Sequence, residues 1–282
     1  MILKKLIKPY IWKRIFLERF TAPIHHNILS LFVLLFGTYR QKINFDLVVR
    51  QQHAFSILKC AELAKKQGYS AVTLIEFGCA NGAGLLNMAK ISKKVSAITG
   101  ISFHILGFDT GTGLPSPIDY RDTFNGFQEG EYQMNVNKLK TNLPSNVSLI
   151  LGDIKDTIQN LSNTLSKDAP VGYVVIDVDY YSSTKDALRL FDYDPAYFLP
   201  SLLVYLDDIG EFGHSRFCGE ELAIDEFNTE HPLIKIEPYS FLNFERLFNH
   251  SKWVKKIFKC HFYDHPITKK KKKMVHLENP YL

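Results

Sequence analysis

The chain has 282 residues, of which 46% are hydrophobic and 22% charged, and its formal net charge is +5. This length is enough to bury a full α/β core in one domain with appendages. The positive charge is concentrated at two places. Residues 1–20 hold six Lys or Arg and one Glu, residues 269–273 are all lysine, and the remainder carries a net charge of −5. No basic stripe crosses the body of the protein, so we do not expect a nucleic acid partner.

The sequence contains no run long enough for a transmembrane helix. Its longest apolar stretch, residues 28–37, is about half of the roughly 20 residues that a spanning helix needs. Residues 1–20 mix aromatic residues with Lys and Arg, which is typical either of a basic helix packed on the domain or of a helix at a membrane surface. The four cysteines are far apart in sequence and form no CxxC pair. We therefore expect a cytoplasmic protein, with peripheral membrane contact through residues 1–20 as an option.

In chain order, residues 1–45 are predicted to form a basic N-terminal helical appendage, and residues 46–282 the main domain. A helix over residues 46–68 should end at Gly68. Strands and helices then alternate. The strands are predicted at 72–77, 104–109, 147–151, 172–178 and 201–206, and the helices at 83–98, 131–142, 155–166, 182–192 and 217–229. This alternation predicts an α/β fold with a doubly wound, mostly parallel sheet.

The C-terminal tail after residue 232 alternates more weakly. It is predicted to form antiparallel strands that close one edge of the sheet. The lysine run Lys269–Lys273 is interpreted as a solvated turn or as protection of an edge strand.

A glycine-rich loop, Glu76-Phe-Gly-Cys-Ala-Asn-Gly-Ala-Gly, follows the first strand of the main domain. Glycines such as Gly78 and Gly82 let a backbone approach a ligand, and the following helix start offers free amide groups beside Asn81. The spacing is not the GxGxxG of dinucleotide sites, and Glu76 would repel a pyrophosphate. An acidic residue here favours a cationic ligand, and S-adenosylmethionine (SAM) has both an ammonium and a sulfonium group. Alternatively, the glycines serve only helix–strand packing.

Two more acidic residues end the next two strands. Asp109 stands where a carboxylate can accept both ribose hydroxyls of a nucleoside, with Thr110 beside it. Asp153 follows the third strand and is a candidate partner for an adenine amino group.

Four aspartates close the last two parallel strands of the pattern: Asp177, Asp179, Asp207 and Asp208. Such carboxylates repel one another, and burying them unpaired is costly. A hard divalent cation would relieve this, and all-oxygen ligands point to Mg²⁺ or Mn²⁺. Helix capping by Asp179 or Asp208 is the alternative for part of the set.

The segments IDVDYYSSTKDAL, LLVYLDDIG and ELAIDEF resemble the macrocin O-methyltransferase (TylF-like) family of metal-dependent, class I SAM methyltransferases. GFDTGTGLP and GDIKDTI are similar to two further motifs of that family, and the resemblance covers roughly residues 70–230. It implies a Rossmann-like fold, SAM as cofactor, and a metal on Asp177, Asp207 and Asp208. It also implies Asp179 as general base, and His214 is a second candidate.

The implied activity is Mg²⁺-dependent O-methylation of a small molecule or saccharide, with a sugar-like vicinal diol favoured. The long loop 110–130 is expected to be a lid, an acceptor-binding wall or a plain surface loop. Self-association is an option. The rival hypotheses are a SAM-fold enzyme with different chemistry and a non-catalytic SAM-fold scaffold at a membrane surface.

Overall fold

A computed structural model describes residues 22–122, 126–210 and 215–269. Residues 1–20, most of the lysine run and the last tail segment thus lie outside the described residues, as does His214. Among the described residues, three helices precede the sheet, and the first two are α1 (Ile24–Phe36) and α2 (Tyr39–Asn44). Helix α3 (Gln51–Gln67) follows and ends at Gly68, which has a φ of 88°.

One seven-stranded sheet forms the centre of the protein. Its strands are β1 (Ala71–Phe77), β2 (Ser102–Asp109), β3 (Val147–Leu151), β4 (Val171–Ile176), β5 (Phe198–Leu206), β6 (Ile234–Pro238) and β7 (Ile257–Phe262). The spatial order is β3-β2-β1-β4-β5-β7-β6. Strands β1 to β5 are parallel, while β7 runs antiparallel to both β5 and β6. The predicted closure of one edge by two antiparallel strands is confirmed.

The connecting helices cover both faces of this sheet. They are α4 (Ala83–Thr99), α5 (Val136–Asn142), α6 (Ile154–Thr157), α7 (Tyr181–Leu188), α8 (Gly219–Glu230) and α9 (Leu242–Glu245). One apolar core lies under α3 and α4, with Phe55 and Met88, and the other lies under α7 and α8, with Leu188 and Phe227. The predicted fold class is therefore confirmed: an α/β fold with a doubly wound, mostly parallel, Rossmann-like sheet.

Four predicted helices have clearly different bounds in the structure. The helix predicted over 46–68 begins only at Gln51, because Asp46 and Arg50 take positive φ values. Helix α5 starts at Val136 rather than at 131, because Glu131 and Gly130 form backbone hydrogen bonds with Leu114 and Asn135 then caps the helix. The predicted helix 155–166 is a single α-turn followed by a 3₁₀ segment over Ile158–Asn163. The predicted helix 182–192 changes to 3₁₀ geometry at Arg189.

Helix α2 packs into the main domain. Its Ile43 belongs to the core below α3, and the buried Arg246 guanidinium binds the carbonyl oxygens of Ile43 and Asn44 and the carboxylate of Asp46. This connection fixes the chain that leads into α3. A domain boundary at residue 45 stays a prediction.

Within the described part of the chain, no helix combines the length and the apolar character that crossing a membrane requires. All four cysteines are described, and they are buried and unpaired.

Candidate active site

A cavity of about 540 Å³ opens at the carboxyl ends of β1, β2, β4 and β5. The strand order reverses here, since β2 lies on one side of β1 and β4 on the other, and ligands of open α/β sheets bind at such switch points. Of the twelve residues proposed from sequence, eleven lie among the described residues and nine line this cavity. Those that line it are Glu76, Gly78, Asn81, Asp109, Thr110, Asp177, Asp179, Asp207 and Asp208.

The register of the sheet explains why these strand tips meet. Phe77 pairs with Phe108 on one side and with Ile176 on the other, and Ile176 pairs with Leu206. The next residue of each strand therefore lies at the same edge. Backbone hydrogen bonds continue one step beyond the strands, from Asp177 to Phe77 at 3.0 Å and from Asp207 to Ile176 at 3.1 Å.

The glycine loop turns sharply above β1. Gly78 has a φ of 82°, and a Cβ atom there would overlap the backbone carbonyl of Asp177. Gly84 leaves room for the carboxyl group of Glu76, which a Cβ would displace. Gly82 has a packing role instead, because it faces Leu139 of α5 and does not line the cavity. At all three positions the missing Cβ is explained by packing within the protein. An approach of this backbone to a ligand stays a prediction.

Asp109 holds the loop in place. Its Oδ2 accepts hydrogen bonds from the backbone amides of Cys79 and Ala80 at 2.9 and 2.8 Å, and its Oδ1 accepts one from Gly111 at 2.7 Å. The sequence did not indicate this structural role. Oδ1 keeps acceptor capacity, because a carboxylate oxygen can accept two hydrogen bonds. Ribose binding by Asp109 stays a prediction.

Glu76 is the most deeply buried acid of the cavity wall, with 2% of its surface exposed. Its Oε2 has no hydrogen-bond partner among the described residues. Burial raises the pKa of Glu76 to about 8, although the nearby positive charge of Arg50 acts in the opposite direction. A buried carboxyl group without a partner is a candidate binding group for a ligand.

Arg50 lines the same cavity and was not singled out from the sequence. It stands immediately before α3 in a left-handed conformation, with a φ of 55°. In the sequence it is an ordinary basic residue near a helix start, where positive charge is not favoured by the helix dipole. This unfavourable placement of a positive charge at a helix start was the one feature of the sequence that could have indicated a role for Arg50.

Strand β4 ends at Ile176, two residues earlier than predicted. Asp179 then takes a φ of 62°, so the alternation of side chains along a strand no longer applies. As a result Asp177 and Asp179 both face the cavity.

The four aspartates influence one another. Burial raises the pKa of Asp177, and Asp207 and Asp208 add to this effect. Burial likewise raises the pKa of Asp179 to about 7, with Asp208 as the next contribution. The Asp179 amide donates to Oδ2 of Asp208 at 3.1 Å, and the Tyr205 hydroxyl donates to Asp207 at 2.6 Å.

A fifth acid lies behind this group. Glu220, at the start of α8, is buried, and its carboxylate accepts a hydrogen bond from the Asp208 amide at 3.0 Å. Burial and Asp208 raise its pKa. Lys256 binds the backbone carbonyl of Asp207. Glu220 immediately precedes the ELAIDEF segment, residues 221–227, and nothing in the sequence assigned it a role.

Asp153 lies outside the cavity wall. Its side chain caps α6 by accepting a hydrogen bond from the Lys155 amide at 2.9 Å, and its neighbour Ile154 lines the cavity instead. The adenine contact of Asp153 stays a prediction.

Part of the long loop forms one wall of the cavity, through Leu114, Pro115, Phe127 and Tyr132. The buried Asp122 anchors this loop to the start of α7, because its carboxylate accepts hydrogen bonds from the Ser182 amide at 2.8 Å and hydroxyl at 2.9 Å. Arg121 is anchored as well, since it stacks on and binds Tyr181, whereas Tyr120 is exposed. Phe124 lies outside the described residues.

No family model and no curated protein matches this chain. Solved structures of similar fold include CalS11, a calicheamicin methyltransferase, with 18% identity and a TM-score of 0.46; the match covers 61% of this chain and 69% of that one. A putative O-methyltransferase from Klebsiella pneumoniae has 13% identity and a TM-score of 0.43, covering 76% and 81%. An O-methyltransferase from Bacillus cereus in complex with SAH has 13% identity and a TM-score of 0.39, covering 76% and 82%. At these values the matches say nothing about the activity of this chain.

Proposed function

We propose that this protein is a SAM-dependent methyltransferase that acts on a hydroxyl group. The observation that carries the proposal is the pair Glu76 and Arg50, which line one wall of the cavity beside the glycine loop. An α-amino acid group carries one ammonium and one carboxylate, and this pair offers one partner of each charge. Few other cofactors combine such a group with a nucleoside.

The residues of the cavity fit this cofactor in the following way. The Oε2 atom of Glu76, buried and without a partner among the described residues, would accept from the ammonium, and Arg50 would bind the carboxylate. Oδ1 of Asp109 and the hydroxyl of Thr110 would bind the ribose. When bound, SAM supplies a methyl group on a positively charged sulfur.

Asp179 would take the proton from the acceptor hydroxyl. A general base works best when its pKa is near the operating pH, and the pKa of Asp179 is raised to about 7. The remaining contribution of the protein would be alignment of the acceptor oxygen and exclusion of water by the loop wall.

The family resemblance implies a divalent cation such as Mg²⁺ or Mn²⁺ on Asp177, Asp207 and Asp208. Their all-oxygen donor set fits such an ion. Their spacing does not, because no group of three or more His, Cys, Asp or Glu in the described ranges lies close enough together to bind a metal. Metal binding is therefore a separate part of the proposal, and the proton transfer to Asp179 is independent of it.

A saccharide with a vicinal diol is the acceptor that we favour, as in the TylF-like family that the motifs resemble. Phe127 and Tyr132 support this, because their rings lie 6.0 Å apart and line the cavity. Aromatic side chains of this kind offer a flat apolar surface to a ring-shaped substrate.

Calorimetric titration with SAM tests the proposal. We expect the wild type to bind SAM, and Glu76→Gln and Arg50→Met to weaken binding by about tenfold or more, since each loses a charge-assisted hydrogen bond. Arg40→Met is the matched control, because Arg40 is exposed and pairs with Glu62. A wild type that does not bind SAM would refute the assignment.

The metal part has its own readout. If these acids bind Mg²⁺, the ion raises the unfolding temperature of the wild type more than that of Asp207→Asn, because a bound cation relieves the repulsion between the carboxylates. Equal shifts in both proteins would show that these acids do not bind the ion.

A further inference from the structure

Helix α1 has an extensive apolar surface that nothing in the described structure covers. Eight of its 13 residues are large apolar side chains with between 48% and 77% of their surface exposed, including Leu31, Phe32, Leu35 and Phe36. Exposed apolar patches of this density mark interaction sites in folded proteins.

The distribution of these side chains around the helix points to the kind of partner. At about 100° per residue, the exposed apolar positions cover an arc of roughly 220°, whereas the buried Ser30 and Val33 take up only the side that faces the protein. A helix that packs on one protein neighbour needs an apolar stripe of about 100°. The wider arc, which contains no Asp, Glu, Lys or Arg, suits an apolar medium that surrounds the helix on several sides.

The length of the helix limits how it can meet such a medium. With 13 residues it is about 20 Å long, and the hydrocarbon core of a bilayer is about 30 Å thick. The helix is thus too short to span a bilayer, so it can bury its apolar arc in lipid only by lying along the interface.

The charge of the flanking sequence is complementary to an anionic surface. The first 45 residues contain eight Lys or Arg and one acidic residue, Glu18. Six of the eight precede α1 in sequence, and the other two, Arg40 and Lys42, belong to α2. Clusters of basic residues next to an interfacial helix bind anionic lipid headgroups.

We propose that α1 docks the protein on an anionic bilayer, with its apolar arc inserted at the boundary between headgroups and acyl chains. The expectation from sequence placed membrane contact in residues 1–20. The structure assigns the inserting surface to residues 24–36, and the basic residues on both sides provide the electrostatic attraction. The proposal does not depend on the reaction that the cavity performs.

Vesicle flotation with the full-length chain tests this proposal. We expect the protein to float with phosphatidylcholine vesicles that contain phosphatidylserine, to bind pure phosphatidylcholine more weakly, and to lose part of its binding at high salt. The double variant Leu31→Glu/Leu35→Glu places two charges in the centre of the arc and should reduce binding by about tenfold or more.

The matched control is Ile118→Glu/Phe217→Glu. These side chains are 75% and 70% exposed, against 65% and 71% for Leu31 and Leu35, but they lie in loops of the main domain. The control should bind vesicles as the wild type does. Equal binding by all three proteins, or a wild type that does not float, would overturn the proposal.

A second copy of the chain is the competing occupant of α1. A dimer interface would give three results: a wild-type dimer by light scattering without vesicles, a monomeric Leu31→Glu/Leu35→Glu variant, and no flotation of the wild type. These results together would show that the proposal is wrong. If circular dichroism shows that the variant is misfolded, hydrogen exchange of the wild type replaces it as the test. We expect the amides of residues 24–36 to gain protection from exchange when anionic vesicles are added, and no gain in protection would overturn the proposal.

Discussion

Two acidic residues of the cavity have raised pKa values but different surroundings. The carboxyl group of Glu76 packs against Gly84 and has Arg50 nearby, and in the proposed function a positively charged ligand group replaces its proton. Asp179 lies at the end of β4 on a left-handed backbone, next to Asp208 and among carboxylates. In the proposed function the same physical cause, burial, prepares one acid to bind a cation and the other to exchange a proton near neutral pH.

We expect the rate to depend on the ionisation of Asp179. Because the deprotonated carboxylate is the active form, kcat/KM should rise with pH through about 7, and Asp179→Asn should lower kcat by roughly 10²- to 10⁴-fold with SAM affinity retained. Initial rates across a pH series, with SAH formation as the readout, measure this. Asp156→Asn, at an exposed position on α6, is the control.

If kcat/KM of Asp179→Asn still rises with pH through about 7, the general base is another group. His214 is then the next candidate to substitute.

At the scale of elements, the turn between β1 and α4 joins the two halves of the site. Gly78 brings the loop against the Asp177 backbone, and Asp109 of β2 binds two amides of the same loop. The loop that positions Glu76 thus also supports the strand that carries the aspartates. Its geometry depends on a residue without a Cβ.

Gly78→Ala should destabilise the protein far more than Gly100→Ala. Both glycines have nearly the same φ, 82° and 81°, so each substitution has a similar backbone cost of about 1–2 kcal/mol. At Gly78 the new Cβ also meets the Asp177 carbonyl, whereas at Gly100 no described atom lies within 4 Å. Urea unfolding of the two variants measures the difference, and similar losses would contradict this description of the turn.

At the scale of the whole molecule, the buried acids make stability depend on pH. Glu76 and Asp179 have pKa values of about 8 and about 7, above ordinary values of 4.5 and 3.8. The folded state binds protons that the unfolded state has released, so their stabilising contribution is complete below about pH 4 and is lost as pH rises through 7 to 8. The buried His53 has a pKa lowered to about 3, and it opposes this trend only below about pH 6.5.

We therefore expect the cofactor-free protein to become less stable between about pH 6.5 and 8, with a fall in melting temperature of about 2–4 °C for each kcal/mol lost. Glu76→Gln removes one of the titrating groups and should flatten the curve. Melting followed by circular dichroism at several pH values tests this. A stability that rises over this interval would contradict the assigned directions of the pKa shifts.

The sequence by itself determined which segments form the parallel strands and, except at β4, where those strands end, because apolar, β-branched runs that stop at Asp, Glu or Gly are readable without any tertiary contact. It thereby located Glu76, Asp109, Asp177 and Asp207 at one edge. The TylF-like resemblance, Mg²⁺, the saccharide and the roles of the site residues stay predictions.

The tertiary structure decided how those residues are used. Arg50 and Glu220 reach the site from helix starts that are distant in sequence. Asp109 uses one of its carboxylate oxygens to accept hydrogen bonds from the glycine loop. Arg50 and Asp179 also adopt positive φ values that no periodicity predicts. Such features depend on how helices pack on the sheet and on local backbone conformation, and a pattern of residue types along the chain contains neither.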